Sequence, residues 1–267
     1  MDLETQQKYA ETFLSLHRPG DPLILFNAWD AATAKAIAKA SPAIATSSGA
    51  VASALGYADG ENVPLEMVAG LVSRITATVS VPVSIDLEAG YGDTADAAAT
   101  SAMKILQAGA VGINIEDGLS GGKRQLVNPE QHAAKIKAVR NAAQQFGVRL
   151  FINARTDPFL LKFGSPDECL NEAARRAKLY AEAGADGIFV PGLTDLTLIE
   201  RLVRHTPLPV NIMVTQGVPA IPNLARVGVR RVSLGPWPMM AAMRVIGQAA
   251  AGLAASKQYG TFLQPNA

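Results

Sequence analysis

The sequence contains a single cysteine, Cys169, among its 267 residues. One cysteine cannot form an internal disulfide, so the chain has no covalent cross-link of its own. A charge excess is also lacking, because 24 Lys and Arg residues oppose 23 Asp and Glu residues, and no segment combines basic with aromatic side chains. A nucleic-acid-binding surface needs such a basic patch, and we therefore expect no nucleic-acid partner.

Long apolar segments are missing as well. No run is long enough to cross a bilayer, and residues 1–8 are polar where a signal peptide needs a basic start followed by an apolar run. We therefore expect no membrane partner and a cytoplasmic location.

What the sequence does contain is a regular alternation of short β-branched runs with longer helical patterns, with a period of about thirty residues. Eight runs are predicted strands: 23–30, 43–49, 81–88, 111–117, 149–157, 187–191, 209–214 and 231–235. Helices are predicted after an opening helix at 2–16: 31–40, 64–78, 94–108, 129–146, 166–183, 194–205, 219–227 and 237–256. Segments 108–115 and 183–190 repeat one junction, a helix stopped by glycine and followed by a buried parallel strand.

Eight strand-helix units in a chain of this length predict one α/β domain over residues 1–267, closed into a (β/α)₈ TIM-type barrel. An open doubly wound sheet is the alternative. The last predicted helix, 237–256, is apolar on nearly every face, and we expect it to pack on a neighbouring subunit in a homo-oligomer, a dimer of dimers.

Polar residues gather where the predicted strands end, which is where chemistry sits in barrels of this class. They are Asn27 and Asp30, Ser47 and Ser48, Asp86 and Glu88, Glu116 and Asp117, and Arg155 and Asp157, with Asn211 in the seventh strand. Strand alternation puts Asn114 and Glu116 on one face, and Asn153, Arg155 and Asp157 on one face. Four acids and one arginine are thus expected to converge at one mouth of the barrel.

Residues 81–93 form an apolar strand that ends in two carboxylates and a glycine turn. Alternation predicts that Ser84, Asp86 and Glu88 share one side of this strand. Paired carboxylates repel each other unless a cation or proton lies between them, and an oxygen-only cluster suits Mg²⁺ or Mn²⁺. Taken alone, Asp86 and Glu88 can equally be two solvated acids in a loop.

The remaining polar groups indicate a small anionic carboxylic acid as substrate. Arg155 offers a planar fork for a carboxylate or phosphonate, although an ion pair with Asp157 or Glu116 is the alternative. Ser48 and Gly49 offer hydroxyl and backbone N–H donors to an oxygen that develops charge, unless they form an ordinary turn.

Six motifs resemble the isocitrate lyase/phosphoenolpyruvate mutase superfamily. They are Phe-Asn-Ala-Trp-Asp at 26–30, Ser-Ser-Gly at 47–49, Leu-Gly-Tyr-Ala-Asp-Gly at 55–60, Asp-Leu-Glu-Ala-Gly-Tyr-Gly at 86–92, Gly-Ile-Asn-Ile-Glu-Asp at 112–117 and Asn-Ala-Arg-Thr-Asp at 153–157. The resemblance implies a Mg²⁺-dependent enzyme that makes or breaks a C–C or C–P bond beside a pyruvate-like oxyanion.

The resemblance also implies roles for individual residues. Asp86 would ligate the metal directly, with Asp59, Glu88 and Glu116 holding it mainly through water. Ser48, Gly49 and Ala50 would contact the substrate's carboxylate and oxyanion, and Arg155, Asn211 and Asp59 would complete the pocket. We expect Ser48, Gly49, Arg155 and Lys123 to be the catalytic residues.

The chain departs from the family at two places. Glu88 stands where the family often has Asp, which keeps the charge and lengthens the side chain. The loop 118–126, Gly-Leu-Ser-Gly-Gly-Lys-Arg-Gln-Leu, has neither the Cys and His of the isocitrate-cleaving members nor the Asn-Ser pair of the phosphonomutases. Its glycines around Lys123 suit a lid that brings positive charge over an anionic substrate, and a solvated basic turn is the alternative.

These observations predict a Mg²⁺-dependent lyase of small 2-oxo or 2-hydroxy acids that works through an enolpyruvate-like intermediate. Decarboxylation or retro-aldol cleavage is the expected reaction. The alternatives are a phosphonopyruvate-type mutase or hydrolase and a catalytically silent oxo-acid-binding protein.

Overall fold

The computed structural model describes residues 1–118 and 125–259. The strands of this part are β1 (Leu23–Leu25), β2 (Asn27–Ala28), β3 (Ile44–Thr46), β4 (Val83–Asp86), β5 (Gly112–Glu116), β6 (Phe151–Arg155), β7 (Gly187–Phe189), β8 (Val210–Met213) and β9 (Arg231–Ser233). The helices are α1 (Leu3–Ser15), α2 (Ala31–Ile37), α3 (Ser48–Leu55), α4 (Leu65–Thr78), α5 (Ala95–Gln107), α6 (Pro129–Phe146), α7 (Pro166–Glu182), α8 (Leu196–His205), α9 (Ile221–Arg226) and α10 (Trp237–Ser256).

All strand pairs are parallel, and the sheet runs in the order β1-β9-β8-β7-β6-β5-β4-β3-β2. Strands β1 and β2 are two pieces of the predicted first strand, separated at Phe26. Because β1 pairs with β9 and β2 pairs with β3, these two pieces bring the ends of the sheet together in a nearly closed ring. The (β/α)₈ TIM-type barrel predicted from the sequence is confirmed.

Asn27 fixes this closure at the mouth. Its side-chain Nδ2 donates to the Thr46 carbonyl on β3 at 2.7 Å, and its Oδ1 accepts from the backbone N–H groups of Leu234 and Gly235 at 3.0 and 2.9 Å. A buried side chain that bonds one group on β3 and two groups just after β9 holds the two edges of the ring together.

The repeated junction has the predicted form. Gly109 follows α5 with a φ of 95°, and Gly184 follows α7 with a φ of 104°. This left-handed conformation favours glycine because a β-carbon would clash, so each helix ends there and the chain enters β5 or β7.

The core lies between the strands and the outer helices, and the opening helix closes the amino-terminal end of the barrel. Ile113, Ile115 and Ile152 are fully buried, as alternation along β5 and β6 predicts. From α1, the buried Phe13 makes an edge-to-face contact with Phe151 of β6, with ring centroids 5.5 Å apart.

Helix α10 is the exception to this packing, since Met239 is its only buried residue. Met240, Val245 and Ile246 are each more than half exposed. The outer face of the first strand is also uncovered, with Ile24 and Phe26 exposed in an apolar groove between α1 and α2. No helix within the described ranges is both long and apolar enough to cross a membrane.

Candidate active site

Asp86 is the last residue of β4, and Ser48 holds its carboxylate. The backbone N–H and the hydroxyl of Ser48 both donate to Asp86 Oδ2, at 3.1 and 2.9 Å. The other oxygen, Oδ1, receives only a long contact of 3.5 Å from the Asn114 amide among the described residues. Asp86 is therefore fixed through one oxygen, and its other oxygen has no close hydrogen-bond partner among the described residues.

Ser48 is the first residue of helix α3 and follows the N-cap residue Ser47. The first N–H groups of a helix have no acceptor within that helix, and they favour negative charge. The first turn consists of Ser48, Gly49 and Ala50, so all three predicted anion contacts lie at one helix end, with Ser48 already bonded to Asp86.

Glu88 lies two residues beyond the end of β4, where the backbone leaves the extended conformation. Its φ is 52°, and its carboxylate accepts the backbone N–H of Glu61 at 2.5 Å and the Tyr91 hydroxyl at 3.4 Å. Glu61 in return accepts the backbone N–H of Tyr91 at 2.6 Å. The chain therefore turns left-handed two residues after β4 ends, yet Glu88 still lines the same small cavity as Asp86, on the side that the alternation predicts.

Arg155 makes the internal ion pairs that the sequence left open as an alternative. Its Nε and Nη2 donate to the two carboxylate oxygens of Asp157 at 2.8 and 2.9 Å, and its Nη1 lies 2.5 Å from Glu116 Oε2. As predicted, Glu116 and Arg155 share a face, since they are register partners at the ends of β5 and β6.

The other two predicted pocket residues are Asp59 and Asn211, and Asn211 is level with Arg155 two strands further round the sheet. A β-carbon added to Gly49 would lie 3.4 Å from Asp59 Oδ2, so Asp59 lies against the start of α3. Asn211 on β8 is buried and accepts from the Ser233 hydroxyl at 3.3 Å. Its amide nitrogen has no partner within residues 1–118 and 125–259, which leaves a buried donor for a ligand.

Two strand-end acids have structural roles instead. Asp117 is fully buried and accepts from Arg176 at 2.9 Å and from Tyr180 at 2.6 Å, both on α7. Asp30 caps helix α2 by accepting the Thr33 backbone N–H at 2.7 Å. Lys123, a predicted catalytic residue, lies outside the described residues.

Sequence reasoning missed Glu61, Tyr91 and the donor role of Asn114. Glu61 directly follows the motif at 55–60, and Tyr91 lies within the motif at 86–92, so position in the sequence gave a signal for both. Asn114 was placed on the correct face, and it accepts from Asn153 at 2.9 Å and from the buried Arg231 at 3.1 Å. These two donors to Oδ1 turn the amide nitrogen of Asn114 toward Asp86.

Burial and the neighbouring acids raise the pKa of Glu88 and Glu116. Burial and then the charge of Asp86 raise the pKa of Glu88 to about 7. Burial also raises the pKa of Glu116, and the Arg155 guanidinium partly offsets this effect. A divalent cation would relieve both the desolvation and the repulsion, and hard oxygen ligands suit Mg²⁺.

The residues fit such an ion with one direct ligand rather than several. Within the described part of the chain, no three Asp, Glu, His or Cys side chains converge closely enough to hold a metal together. Magnesium usually keeps several waters and takes one or two carboxylates. The free oxygen of Asp86 fits the direct ligand, and Glu88, Glu116 and Asp59 fit contacts through water.

The fold and site together define a (β/α)₈ barrel with an acidic site at the carboxyl ends of its strands. The family model described as phosphoenolpyruvate phosphomutase matches residues 13–254. The chain therefore belongs to this family, and the resemblance to the isocitrate lyase/phosphoenolpyruvate mutase superfamily is confirmed.

The relatives that match nine tenths of the chain do not identify its reaction. An uncharacterized protein of Mycobacterium tuberculosis is 35% identical over 248 residues, covering 92% of this chain and 90% of that protein. A crystal structure from Burkholderia cenocepacia J2315, described provisionally as a phosphonomutase, is 40% identical with a TM-score of 0.87, covering 91% of this chain and 99% of that one.

Relatives with named activities match a shorter part of the chain. Oxaloacetate decarboxylase of Rhodopseudomonas palustris (strain ATCC BAA-98 / CGA009) is 32% identical over 165 residues, covering 58% of this chain and 53% of that enzyme. The 2-methylisocitrate lyase of Escherichia coli (strain K12) is 30% identical over 173 residues, covering 63% of this chain and 56% of that enzyme. Both enzymes are named for a small carboxylic-acid substrate.

Proposed function

We propose that this protein is a Mg²⁺-dependent lyase, with Mn²⁺ as a possible substitute, that decarboxylates or cleaves a small 2-oxo or 2-hydroxy carboxylic acid. The observation that carries the proposal is the position of Asp86 between the first N–H groups of α3 and the other acids of the site, Asp59, Glu88 and Glu116. One partly free carboxylate beside a helix start can support a cation and the substrate oxygens that the cation attracts.

The residues of the chain would share the work of binding and orientation. When bound, Mg²⁺ would polarise the substrate carbonyl and stabilise an enolate oxygen. The backbone N–H groups of Gly49 and Ala50 would donate to the substrate carboxylate, and the buried Asn211 amide would donate to a second oxygen. Arg155 contributes positive charge behind Glu116, and two of its five N–H groups remain for a substrate anion.

The loop 118–126 favours decarboxylation over cleavage of an isocitrate-like acid. Cleavage needs a proton donor for the departing carbanion, and without Cys or His the loop offers only Lys123 and Arg124. Arginine keeps its proton at any physiological pH. Decarboxylation releases CO₂, and solvent can protonate the resulting enolate, so it needs no such donor.

The second candidate is a phosphonopyruvate-type mutase or hydrolase. It is favoured by the 40% identity to the Burkholderia cenocepacia protein described provisionally as a phosphonomutase. A substrate with a C–P bond would use the same Asp86 and Arg155 groups, because a phosphonate and a carboxylate both accept from a guanidinium fork.

A substrate screen tests both candidates. The protein with Mg²⁺ is incubated with oxaloacetate, methylisocitrate, 2,3-dimethylmalate or phosphonopyruvate, and pyruvate, phosphate and phosphoenolpyruvate are measured. The control is the Asp86→Asn variant at equal Mg²⁺, because free Mg²⁺ alone can promote decarboxylation of an oxo-acid. Turnover of oxaloacetate above this control supports the proposal, turnover of phosphonopyruvate alone supports the second candidate, and binding of these acids without turnover indicates a silent binding protein.

A further inference from the structure

The turn that carries Glu88 has an unusual backbone. Glu88, Gly90, Tyr91 and Gly92 have φ values of 52°, 100°, 56° and 148°. Glycine adopts such values freely, whereas Glu88 and Tyr91 are strained there, and strain of this kind persists only where surrounding contacts hold it. The turn therefore needs anchors outside its own sequence.

One anchor is Lys135 on helix α6. Its side chain is buried, and its Nζ donates to the backbone carbonyls of Ala89 at 3.0 Å and Gly92 at 2.6 Å. These two carbonyls flank Gly90 and Tyr91, so one ammonium group spans the left-handed part of the turn. Glycine at position 92 lets the turn lie close to α5, because a β-carbon there would be 2.6 Å from that of Ala97.

The carboxylates of Glu61 and Asp93 interact with the charge of Lys135 only from a distance. No carboxylate among residues 1–118 and 125–259 lies within ion-pair distance of the Lys135 Nζ. Burying an ammonium group is costly unless it is hydrogen-bonded, and an apolar side chain of similar length would fill the same space without that cost. The hydrogen bonds from the Lys135 ammonium group to the Ala89 and Gly92 carbonyls are therefore its direct contacts in the described part of the chain.

A second anchor links the turn to the loop that carries Asp59. The backbone N–H of Glu61 donates to Glu88 at 2.5 Å, and the carboxylate of Glu61 accepts the backbone N–H of Tyr91 at 2.6 Å. Both contacts need the turn in its left-handed form, since this conformation directs the Tyr91 N–H to Glu61. Any group that holds the turn therefore also holds the position of Glu88 relative to Asp59.

We propose that Lys135 is a positioning residue of the acidic site: by holding the Ala89 and Gly92 carbonyls it fixes the Glu88 turn and, through Glu61, its alignment with Asp59. The inference rests on the proposed function in assigning Glu88 and Asp59 to a cation. Lys135 itself touches neither cation nor substrate in this role.

Amide hydrogen exchange in metal-free protein tests the positioning directly. The amides of Gly90 and Tyr91 donate to Leu87 O and to Glu61 and are protected by these bonds. In Lys135→Met we expect both amides to exchange about tenfold faster or more, because hydrogen bonds to a charged group are lost. Lys135→Arg keeps the charge and donors and should restore most of the protection.

Two controls separate this effect from general destabilisation. Lys137→Met removes an exposed lysine from the same helix and should leave exchange unchanged. Val139→Ala removes buried volume from α6 one turn further on and should lower the melting temperature without selectively affecting Gly90 and Tyr91.

Calorimetric Mg²⁺ titration of the same variants tests the consequence for the site. We expect Lys135→Met to weaken Mg²⁺ binding by about 10- to 100-fold, the range typical of residues that orient metal ligands. The inference is overturned if Gly90 and Tyr91 exchange at the wild-type rate in Lys135→Met, or if Val139→Ala weakens Mg²⁺ binding as much at an equal loss of melting temperature. A wild-type protein that binds no Mg²⁺ refutes the proposed function, and the exchange rates then still decide whether Lys135 holds the turn.

Discussion

Ser48 and Asp86 form a two-point contact in which one serine supplies both its backbone N–H and its hydroxyl to a single carboxylate oxygen, at 3.1 and 2.9 Å. The contact joins the end of β4 to the start of α3 across 38 residues of sequence. It leaves the second oxygen of Asp86 with only the 3.5 Å contact from the Asn114 amide among the described residues, and the first prediction follows from this geometry.

Asp86→Asn should abolish Mg²⁺ binding, because the amide keeps the shape of the side chain and removes its charge. Activity should fall by at least about 10²-fold, the scale expected when a group that stabilises developing charge is lost. Isothermal calorimetry measures the binding, with the exposed Asp96→Asn as the matched control. Unchanged Mg²⁺ affinity in Asp86→Asn would show that Asp86 is not the direct ligand.

We expect helix α10 to mediate contacts between subunits. It exposes Met240, Val245 and Ile246, and the apolar groove around Ile24 and Phe26 is uncovered. We expect α10 of a second copy to cover this groove and the protein to form a dimer of dimers. Light scattering at micromolar concentration measures the mass.

The variants Phe26→Glu in the groove and Ile246→Glu on α10 should each lower that mass, because each places a charge in the expected contact. Gln248→Glu adds the same charge at a polar, exposed position of α10 and serves as the control. A wild-type protein with the mass of one chain contradicts the prediction.

Acid should destabilise the fold through buried histidines. Burial holds the pKa of His17 at about 3, and Arg231 adds to the lowering, whereas an unfolded histidine titrates near 6.5. Below pH 6.5 the unfolded chain therefore binds more protons than the folded one, and stability is lost as the pH falls toward 3.

Urea unfolding at pH 7 and pH 5 measures this loss. In His17→Phe, which keeps an aromatic ring against Phe151, the loss between the two pH values should be smaller by about 2 kcal/mol. The exposed His205→Gln variant should show the wild-type loss. Equal losses in His17→Phe and the wild type would mean that His17 is not protonated preferentially in the unfolded chain.

Lys123→Ala should mainly raise KM, because the sequence around Lys123 supplies charge for an anionic substrate and decarboxylation needs no proton donor from the loop. Steady-state kinetics with oxaloacetate measure kcat and KM, with Lys137→Ala as the control. A loss of kcat at unchanged KM, or a higher kcat/KM for methylisocitrate than for oxaloacetate, would show that the loop is catalytic.

The sequence by itself determined the barrel and the strand ends at which its polar residues lie. Alternation along a strand is a property of the extended backbone, so Glu116 and Arg155 could be assigned to one face before their ion pair was seen. The glycines at 109 and 184 likewise ended their helices for a local reason, the left-handed conformation that a side chain disfavours.

Only the tertiary structure decided which partners those polar residues have. Glu88 leaves the extended conformation because Glu61, 27 residues away, and Lys135, through carbonyls 43 and 46 residues away from it, hold the turn in a left-handed form. Asp117, one residue from Glu116, faces Arg176 on α7 instead of the mouth. Such contacts depend on how helices pack around the ring. A periodic sequence pattern predicts the direction of a side chain, but it does not predict the partner that the side chain meets there.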